Sequence, residues 1–239
     1  MDFFYQPELA APDQQIQLSE MESKHLSRVL RKKPGDTIGL LNGIGGTATG
    51  QLLSTDPKGC LVQITSFEQA APPPYTVHIA MAPTKSNDRF EWFLEKATEI
   101  GITQITPLLC QHSERRKINP ERFERIILSA TKQSKQPFKP ILNPLTSFED
   151  FVLNNSDCLL AHCRSGNKKG LLNEVPLKPH TTLLIGPEGD FTQDEIDLAL
   201  QQGATAIQLG AQRFRTETAG IVACHTLAIK AEWTQPSNL

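Results

Sequence analysis

The sequence of 239 residues lacks the marks of several protein classes. No apolar run approaches the roughly 18 to 20 residues that a membrane span requires, and the first residues are not a basic leader followed by an apolar stretch. The five cysteines are scattered, with no paired C-x-x-C units of the kind that zinc sites use. We therefore expect a cytoplasmic protein with free thiols, no metal and no membrane contact.

Phosphate-binding loops are missing as well. The chain contains neither G-x-x-x-x-G-K-[ST] nor G-x-G-x-x-G, which argues against a nucleotide enzyme built on a phosphate loop. We find no internal repeat and no low-complexity segment.

Positive charge is not in excess, since the net charge is −2, but the basic residues are clustered. Three groups stand out: Lys24, Arg28, Arg31, Lys32 and Lys33; Arg115, Arg116, Lys117, Arg122 and Arg125; and Lys132, Lys135 and Lys139. Such patches fit a partner that is held through phosphates at selected places. For any one cluster, a solvated helix face is the alternative interpretation.

Composition breaks at residues 70–74, Ala-Ala-Pro-Pro-Pro, because consecutive prolines continue neither a helix nor a strand. We predict a linker at 71–75 between domains at 1–70 and 76–239. In the first domain, Ser19 and Glu22 predict a capped helix. Short strands are predicted at 36–41, 47–55 and 60–67. This pattern favours a small barrel or partly open sheet with one helix.

The second domain alternates strands with helices, which is typical of an α/β fold with a mostly parallel sheet. Strands are predicted at 76–82, 102–110, 157–162, 181–186 and 205–209. Helices are predicted from Asp88, capped with Glu91, to Gly101; from Asn119 to about Lys132; from Ser147; from Thr192, capped with Glu195, to Gly203; and from Thr216 to about Trp233.

Two strand-to-helix segments carry the candidate chemistry. The first ends in Gly186-Pro187-Glu188-Gly189-Asp190-Phe191. Its glycines let a ligand approach the backbone, and Glu188 favours a cationic nucleoside such as a sulfonium over a triphosphate. The second places Arg215 and Glu217 at a helix N-terminus, where Arg215 is suited to bind a phosphate or a developing oxyanion. A tight turn and a capped helix start are the structural alternatives.

These segments resemble the signature segments of the RsmE family, the SPOUT-class methyltransferases that act on N3 of a uridine in 16S ribosomal RNA. Further matching positions are residues 25–31, His-Leu-Ser-Arg-Val-Leu-Arg; Pro34-Gly35-Asp36; Lys85, Arg89, Glu91, Lys96, Glu99 and Gly101; Ser113-Glu114-Arg115; and Gln133-Ser134. The chain departs from the family pattern at Asp190, where a second glycine is usual, near Gln136, where an arginine is usual, and at Gln212-Arg213-Phe214.

The resemblance implies an α/β SPOUT-type domain with a deep trefoil knot, a small PUA-like RNA-binding β-barrel at 1–70, and S-adenosylmethionine as cofactor. Expected partners are small-subunit ribosomal RNA or the 30S subunit, and a second copy of the chain that packs on the last helix. Cofactor binding is expected at Leu184, Ile185, Gly186, Pro187, Glu188, Gly189, Leu209, Gly210, Thr218 and Ile221. RNA binding is expected at His25, Arg28, Arg31, Lys85, Arg89, Arg115 and Arg116.

Arg215 and Glu217 are the expected catalytic residues. Uridine N3 loses its proton as it accepts a methyl group, so negative charge develops on the flanking ring oxygens, and Arg215 is placed to stabilise it. Glu217 is expected to orient Arg215 or to help take the proton. Two alternatives stay open: a SPOUT enzyme that modifies another nucleotide or a ribose 2′-hydroxyl, and a non-catalytic RNA-binding assembly factor.

Overall fold

The computed structural model describes residues 1–176 and 178–234. The chain forms two compact units. The first comprises Met1–Pro72 together with Leu128–Lys139, and the second comprises Pro73–Ile127 together with the chain from Pro140 onward. The proline-rich residues 70–74 form neither helix nor strand. Among the helices of the described residues, none combines the length and the apolar character needed to cross a membrane.

The first unit is built on a five-stranded sheet in the order β1-β3-β4-β5-β2, in which β1 and β3 are parallel and the other pairs are antiparallel. The strands are β1 (Phe3–Tyr5), β2 (Gln15–Gln17), β3 (Thr37–Leu41), β4 (Gly46–Leu52) and β5 (Leu61–Gln69). Helix α1 (Glu20–Lys24) runs into a π-helical turn, His25–Val29. The predicted cap is present, because Ser19 Oγ accepts a hydrogen bond from the Glu22 amide.

Residues 128–139 complete the first unit. The Lys132 ammonium lies 2.7 Å from Oε1 of Glu22, whose side chain is only 3% exposed. Two backbone bonds hold the segment to the turn between β3 and β4: the Gly45 amide donates to the Pro137 carbonyl, and the Lys139 amide donates to the Gly43 carbonyl. A buried charge pair and a short stretch of β-type pairing therefore fix this segment on the sheet.

The second unit is built on an eight-stranded parallel sheet in the order β11-β13-β10-β12-β6-β7-β8, with β9 also paired to β7. Its strands are β6 (Thr76–Met81), β7 (Gln104–Leu109), β8 (Ile141–Leu142), β9 (Thr146–Ser147), β10 (Leu159–Ala161), β11 (Lys169–Gly170), β12 (His180–Ile185) and β13 (Thr205–Gln208). Its helices are α2 (Asn87–Ile100), α3 (Pro120–Ser134), α4 (Phe148–Asn154), α5 (Gln193–Gln201) and α6 (Thr216–Thr234); α3 passes into the first unit at Leu128.

Apolar side chains cover both faces of the parallel sheet, as helices on both sides require. On β12, Leu183 and Ile185 belong to one hydrophobic cluster and Leu184 to the other. Successive side chains of a strand point to opposite faces, so this strand reads as a continuous apolar run. The loops at the carboxyl edge therefore leave a sheet that is packed on both faces.

Helix ends follow local signals in most cases. Ser147 caps α4, and Thr192 with Glu195 forms the predicted capping box of α5. Helix α2 ends at Gly101, whose φ of 101° is left-handed. The predicted cap of α2 by Asp88 and Glu91 is wrong. This helix begins after Ser86 without a side-chain cap, and the Glu91 carboxylate instead forms an ion pair with Arg122.

Helices α2 and α6 approach each other closely at Gly220. A β-carbon on Gly220 would lie 2.7 Å from the Phe93 ring and 2.9 Å from the Met81 sulfur. Distances this short are overlaps, so any larger residue at this position would force the Phe93 ring, the Met81 side chain or the helices to shift. The contact fixes how the first turns of the two helices face each other.

Candidate active site

A cavity of about 700 Å³ opens in the second unit, where β10, β12 and β13 end. Ligands of parallel α/β sheets bind at this carboxyl edge, because the loops there meet at one place. Three segments form most of its wall: the ends of β12 and β13 with the loops that follow them, and the loop after β10. The lining residues are Arg89, Ala161, His162, Cys163, Lys168, Ile185, Gly186, Pro187, Glu188, Asp190, Ile207, Gln208, Leu209, Gly210, Ala211, Gln212, Arg213, Phe214, Arg215, Thr216 and Ala219.

The loop after β12 is held from three sides. The Glu188 carboxylate accepts a hydrogen bond of 2.9 Å from the Lys85 amide. The His112 ring nitrogen Nδ1 donates to the Gly189 carbonyl at 3.1 Å, and Thr216 donates its hydroxyl proton to the Gly186 carbonyl at 3.2 Å. The backbone of this loop is therefore in place before a ligand arrives, which lowers the entropic cost of binding.

Asp190 has a structural explanation that the sequence pattern did not give. Its φ is 62°, in the left-handed region that favours glycine but also admits aspartate. One carboxylate oxygen accepts from the Cys163 amide and the other from the Phe191 amide, both at 2.9 Å. Asp190 thus fastens the loop after β12 to the loop after β10, and Thr192 caps the helix that follows.

Replacement of Asp190 separates the backbone requirement from the hydrogen bonds. We expect Asp190→Ala to lower the free energy of unfolding by about 2 kcal/mol, because both charge-assisted bonds are removed and a β-carbon remains at positive φ. Asp190→Gly removes the same bonds but also the backbone strain, so we expect a decrease of only about 1 kcal/mol. Urea denaturation of both variants checks the order; an alanine variant as stable as the glycine variant would contradict it.

The loop after β10 was not predicted as part of the site. It contributes His162, Cys163 and, further on, Lys168, whose ammonium donates to the His162 carbonyl. Burial, together with the nearby Lys168 charge, lowers the pKa of His162, so its ring is neutral at pH 7. Its Nδ1 is buried without a hydrogen-bond partner among the described residues. Polar residues after a short strand look like an ordinary loop, so the sequence carries little signal for this wall.

Cysteine exposure divides the thiols into two kinds. Cys60, Cys110, Cys158 and Cys224 are buried, and Cys163 is exposed. Burial raises the pKa of Cys158 to about 11 and that of Cys224 to about 12, so these thiols stay protonated. Within residues 1–176 and 178–234, no group of three or more His, Cys, Asp or Glu side chains is arranged to hold a metal ion.

Arg215 lies exposed at the cavity wall, immediately before α6. Glu217 is buried in the first turn of α6. Its ion pair is with Arg89 of α2, whose Nε lies 3.8 Å from Oε1 of Glu217. The structure therefore joins Glu217 to Arg89, a residue that the sequence assigned to RNA binding.

The ten predicted cofactor-binding residues do not all lie at the cavity. Ile185, Gly186, Pro187, Glu188, Leu209 and Gly210 line it, whereas Leu184, Gly189, Thr218 and Ile221 are not among its lining residues. Leu184 is fully buried on the face of the sheet opposite to the one that carries Ile185. Ile221 is partly buried against the core of the face that carries α2 and α6.

The predicted RNA-binding residues divide between the two units. His25, Arg28 and Arg31 belong to the first unit and are exposed in or just after its π-helical turn. In the second unit, Arg115 donates to the carbonyls of Thr84 and Lys85. Lys85, Arg115 and Arg116 line a second concavity with Glu114 and Lys117. Since the Lys85 amide also binds Glu188, this basic group is connected to the loop after β12.

The chain is similar to known RNA methyltransferases. The RNA methyltransferase domain family matches residues 71–228, and the RNA methyltransferase PUA domain family matches residues 18–65. A ribosomal RNA small subunit methyltransferase E from Synechocystis is 33% identical over 90% of this chain and 74% of its own length. The chain belongs to the ribosomal RNA small subunit methyltransferase E family.

Two solved structures of similar proteins have the same fold. A probable rRNA methyltransferase from Porphyromonas gingivalis superposes with a TM-score of 0.86 and 35% identity, covering 96% of this chain and 99% of its own. The methyltransferase E from Neisseria gonorrhoeae, bound to S-adenosylmethionine, gives a TM-score of 0.83 at 25% identity, covering 96% and 97%. The predicted α/β class, with a SPOUT-type domain and a PUA-like domain, is confirmed by these two structures and by the matching PUA domain family.

Proposed function

We propose that this chain methylates N3 of one uridine in small-subunit (16S) ribosomal RNA, with S-adenosylmethionine as donor and the assembled subunit as substrate. The observation that carries the proposal is the cavity at the carboxyl edge of the parallel sheet, which has Arg215 at its wall, in a member of this methyltransferase family. Within the same proposal the chain acts as a homodimer through α6, and its second unit contains a deep trefoil knot.

The cavity residues fit the donor. A volume of about 700 Å³ suits a nucleoside-sized ligand. Ile185, Ile207 and Leu209 give an apolar wall, while the buried Nδ1 of His162 offers a polar contact. The backbone at Gly210 is uncrowded, since even a β-carbon there would meet only the Phe214 ring, at 3.6 Å. When bound, S-adenosylmethionine supplies an electrophilic methyl group next to a positive sulfur, and Glu188 tolerates that charge.

Arg215 performs the electrostatic part of the reaction in this proposal. The uridine N3 proton leaves as the methyl group arrives, and negative charge spreads to the two flanking ring oxygens. A guanidinium at the cavity wall stabilises that charge more strongly in the transition state than in the ground state. Glu217, being paired with Arg89, holds another cation near the same cavity.

The basic residues of both units hold the RNA. His25, Arg28 and Arg31 act from the first unit, and Lys85, Arg115 and Arg116 from the second. The hydrogen bonds from Arg115 to the loop at Thr84 and Lys85, and from Lys85 to Glu188, connect the second group to the cavity. A phosphate bound there would lie beside the loop that contacts the donor.

Charge removal in the first unit tests the RNA contact. We expect the double variant Arg28→Ala, Arg31→Ala to bind small-subunit RNA more weakly. The slope of log K against log salt should become less steep by about 0.7 to 0.9 for each phosphate that is no longer neutralised. Lys58→Ala, in the turn before β5, removes one charge from the same unit and serves as the control. An unchanged slope in the double variant would exclude this surface as an RNA-binding surface.

The function is tested by methyl transfer from labelled S-adenosylmethionine to isolated small subunits and to naked 16S RNA, followed by mass spectrometry of the digested RNA. We expect one N3-methyluridine, formed more efficiently on subunits. Label on another base or on a ribose would show that the chain is a SPOUT methyltransferase with a different target atom. RNA binding without donor binding in a calorimetric titration would make it an assembly factor.

A further inference from the structure

Arg89 occupies an unexpected place at the cavity wall. Its Nε lies 3.8 Å from Oε1 of Glu217. The Glu217 side chain is only 9% exposed, whereas that of Arg89 is 43% exposed. The carboxylate therefore lies inside the protein, and the guanidinium extends from it toward the cavity.

The packing of α2 on α6 sets this pair. Gly220 brings the two helices so close that a β-carbon there would overlap the Phe93 ring. Arg89 lies four residues before Phe93, and Glu217 lies three residues before Gly220, so each is one turn away on the same face of its helix. The contact at Gly220 thus places the first turns of α2 and α6 against each other.

The Glu217 carboxylate is incompletely satisfied. Its Oε2 is buried and, among the described residues, has no hydrogen-bond partner. Burial of such an oxygen is unfavourable, although the N-terminus of α6 offsets part of the cost. Buried charged groups with unsatisfied hydrogen-bonding atoms are often found at functional sites, where their charge holds or stabilises a neighbouring group. Here the cation that pairs with the carboxylate is Arg89.

We propose that Arg89 is a second catalytic cation, which Glu217 positions at the cavity wall. This inference rests on the proposed function. In the reaction, the bond from N3 to the methyl carbon forms as the carbon–sulfur bond of the donor breaks. That bond's electron pair stays on sulfur, and the N3 proton passes to water. Negative charge builds on the two ring oxygens that flank N3; Arg215 stabilises one of them and Arg89 the other.

The kinetics of Arg89→Ala distinguish this role from a phosphate contact. We expect kcat to fall about 10²-fold, as for other preorganised oxyanion donors, with KM for the subunit and the salt dependence of RNA binding unchanged. Arg89→Lys keeps a charge without the planar fork and should recover part of kcat. If kcat were normal and the salt slope were less steep by about 0.7 to 0.9, Arg89 would be a phosphate ligand and the inference would be wrong.

A double-mutant cycle tests the positioning by Glu217. Glu217→Gln keeps the shape of the side chain but removes its charge, so we expect a lower kcat and little further decrease when Arg89→Ala is added. Lys178→Ala is the control, because Lys178 also forms an ion pair, with Asp157, but does not line the cavity; its kcat should equal that of the wild type.

The two proposals fail in different ways. If the wild-type protein transfers no methyl group to ribosomal RNA, the proposed function is wrong. If the wild type is active and Arg89→Ala keeps its kcat, only the inference about Arg89 is wrong. Additive decreases in the Arg89 and Glu217 variants would likewise reject the positioning role. Calorimetric binding of S-adenosylmethionine by each variant confirms that the fold and the cavity are intact.

Discussion

Arg215→Ala should lower kcat for methyl transfer by about 10²- to 10³-fold, the usual effect of removing one preorganised donor from an oxyanion site. Arg215 is exposed at the cavity wall and precedes α6, so truncation of its side chain leaves the hydrophobic clusters untouched. The affinity for S-adenosylmethionine should stay unchanged. Single-turnover kinetics with saturating small subunits measure the chemical step apart from RNA binding.

Arg213→Ala is the comparison for this variant. Arg213 lines the same cavity and carries the same charge two residues earlier. We expect kcat to fall less than about 10-fold. Arg213 is expected to act on the reacting atoms only through its charge, which solvent and salt screen, whereas Arg215 donates a directed hydrogen bond. Equal decreases in the two variants would mean that Arg215 contributes only charge. A normal kcat in Arg215→Ala would reject its catalytic role.

Glu22→Ala should destabilise the first unit by about 3 kcal/mol, because it leaves the Lys132 ammonium without its carboxylate in a mostly buried place. The side chains of Glu22 and Lys132 are 3% and 19% exposed, and their charged atoms are 2.7 Å apart. The variant also removes the weak bond from the Tyr5 amide. Hydrogen–deuterium exchange should become faster both in β1 and in residues 128–139.

The same helix provides the control for Glu22. Glu20 pairs with Lys24 at 2.6 Å, but the two side chains are 60% and 48% exposed, so Glu20→Ala should leave exchange unchanged. The double variant Glu22→Met, Lys132→Met removes both charges and should recover most of the stability. If Glu22→Ala exchanged at the wild-type rate in residues 128–139, the buried pair would not hold that segment.

Local signals in the sequence were sufficient for most of the second unit. Thr192 and Glu195 predicted the capping box of α5, and Gly101 predicted the end of α2, because both depend on residues only a few positions apart. The start of α2 was harder to predict, since Asp88 and Glu91 fit the same capping pattern while Glu91 forms an ion pair with the distant Arg122.

Tertiary contacts decided what the sequence did not predict. The strands β1 and β2 have only three residues each, too few for a pattern to be recognised in the sequence, so pairing with β3 and β5 defines them. The π-helical turn at His25–Val29 has no local signature. In the cavity, local and tertiary signals also differ. Arg215 was predicted as a site residue from its place before a helix. The pairing of Glu217 with Arg89 depends on a glycine contact between two helices far apart in sequence.

The first unit is made of two separate pieces of chain, with consequences for how it can be exchanged between proteins. The PUA family matches only residues 18–65, yet Glu22 and the turn at Gly43 and Gly45 find their partners in residues 128–139. A graft of residues 1–72 onto another methyltransferase would carry an unpaired buried carboxylate and an uncovered turn. The portable RNA-binding module therefore includes the end of α3, and swaps between family members should move both pieces together.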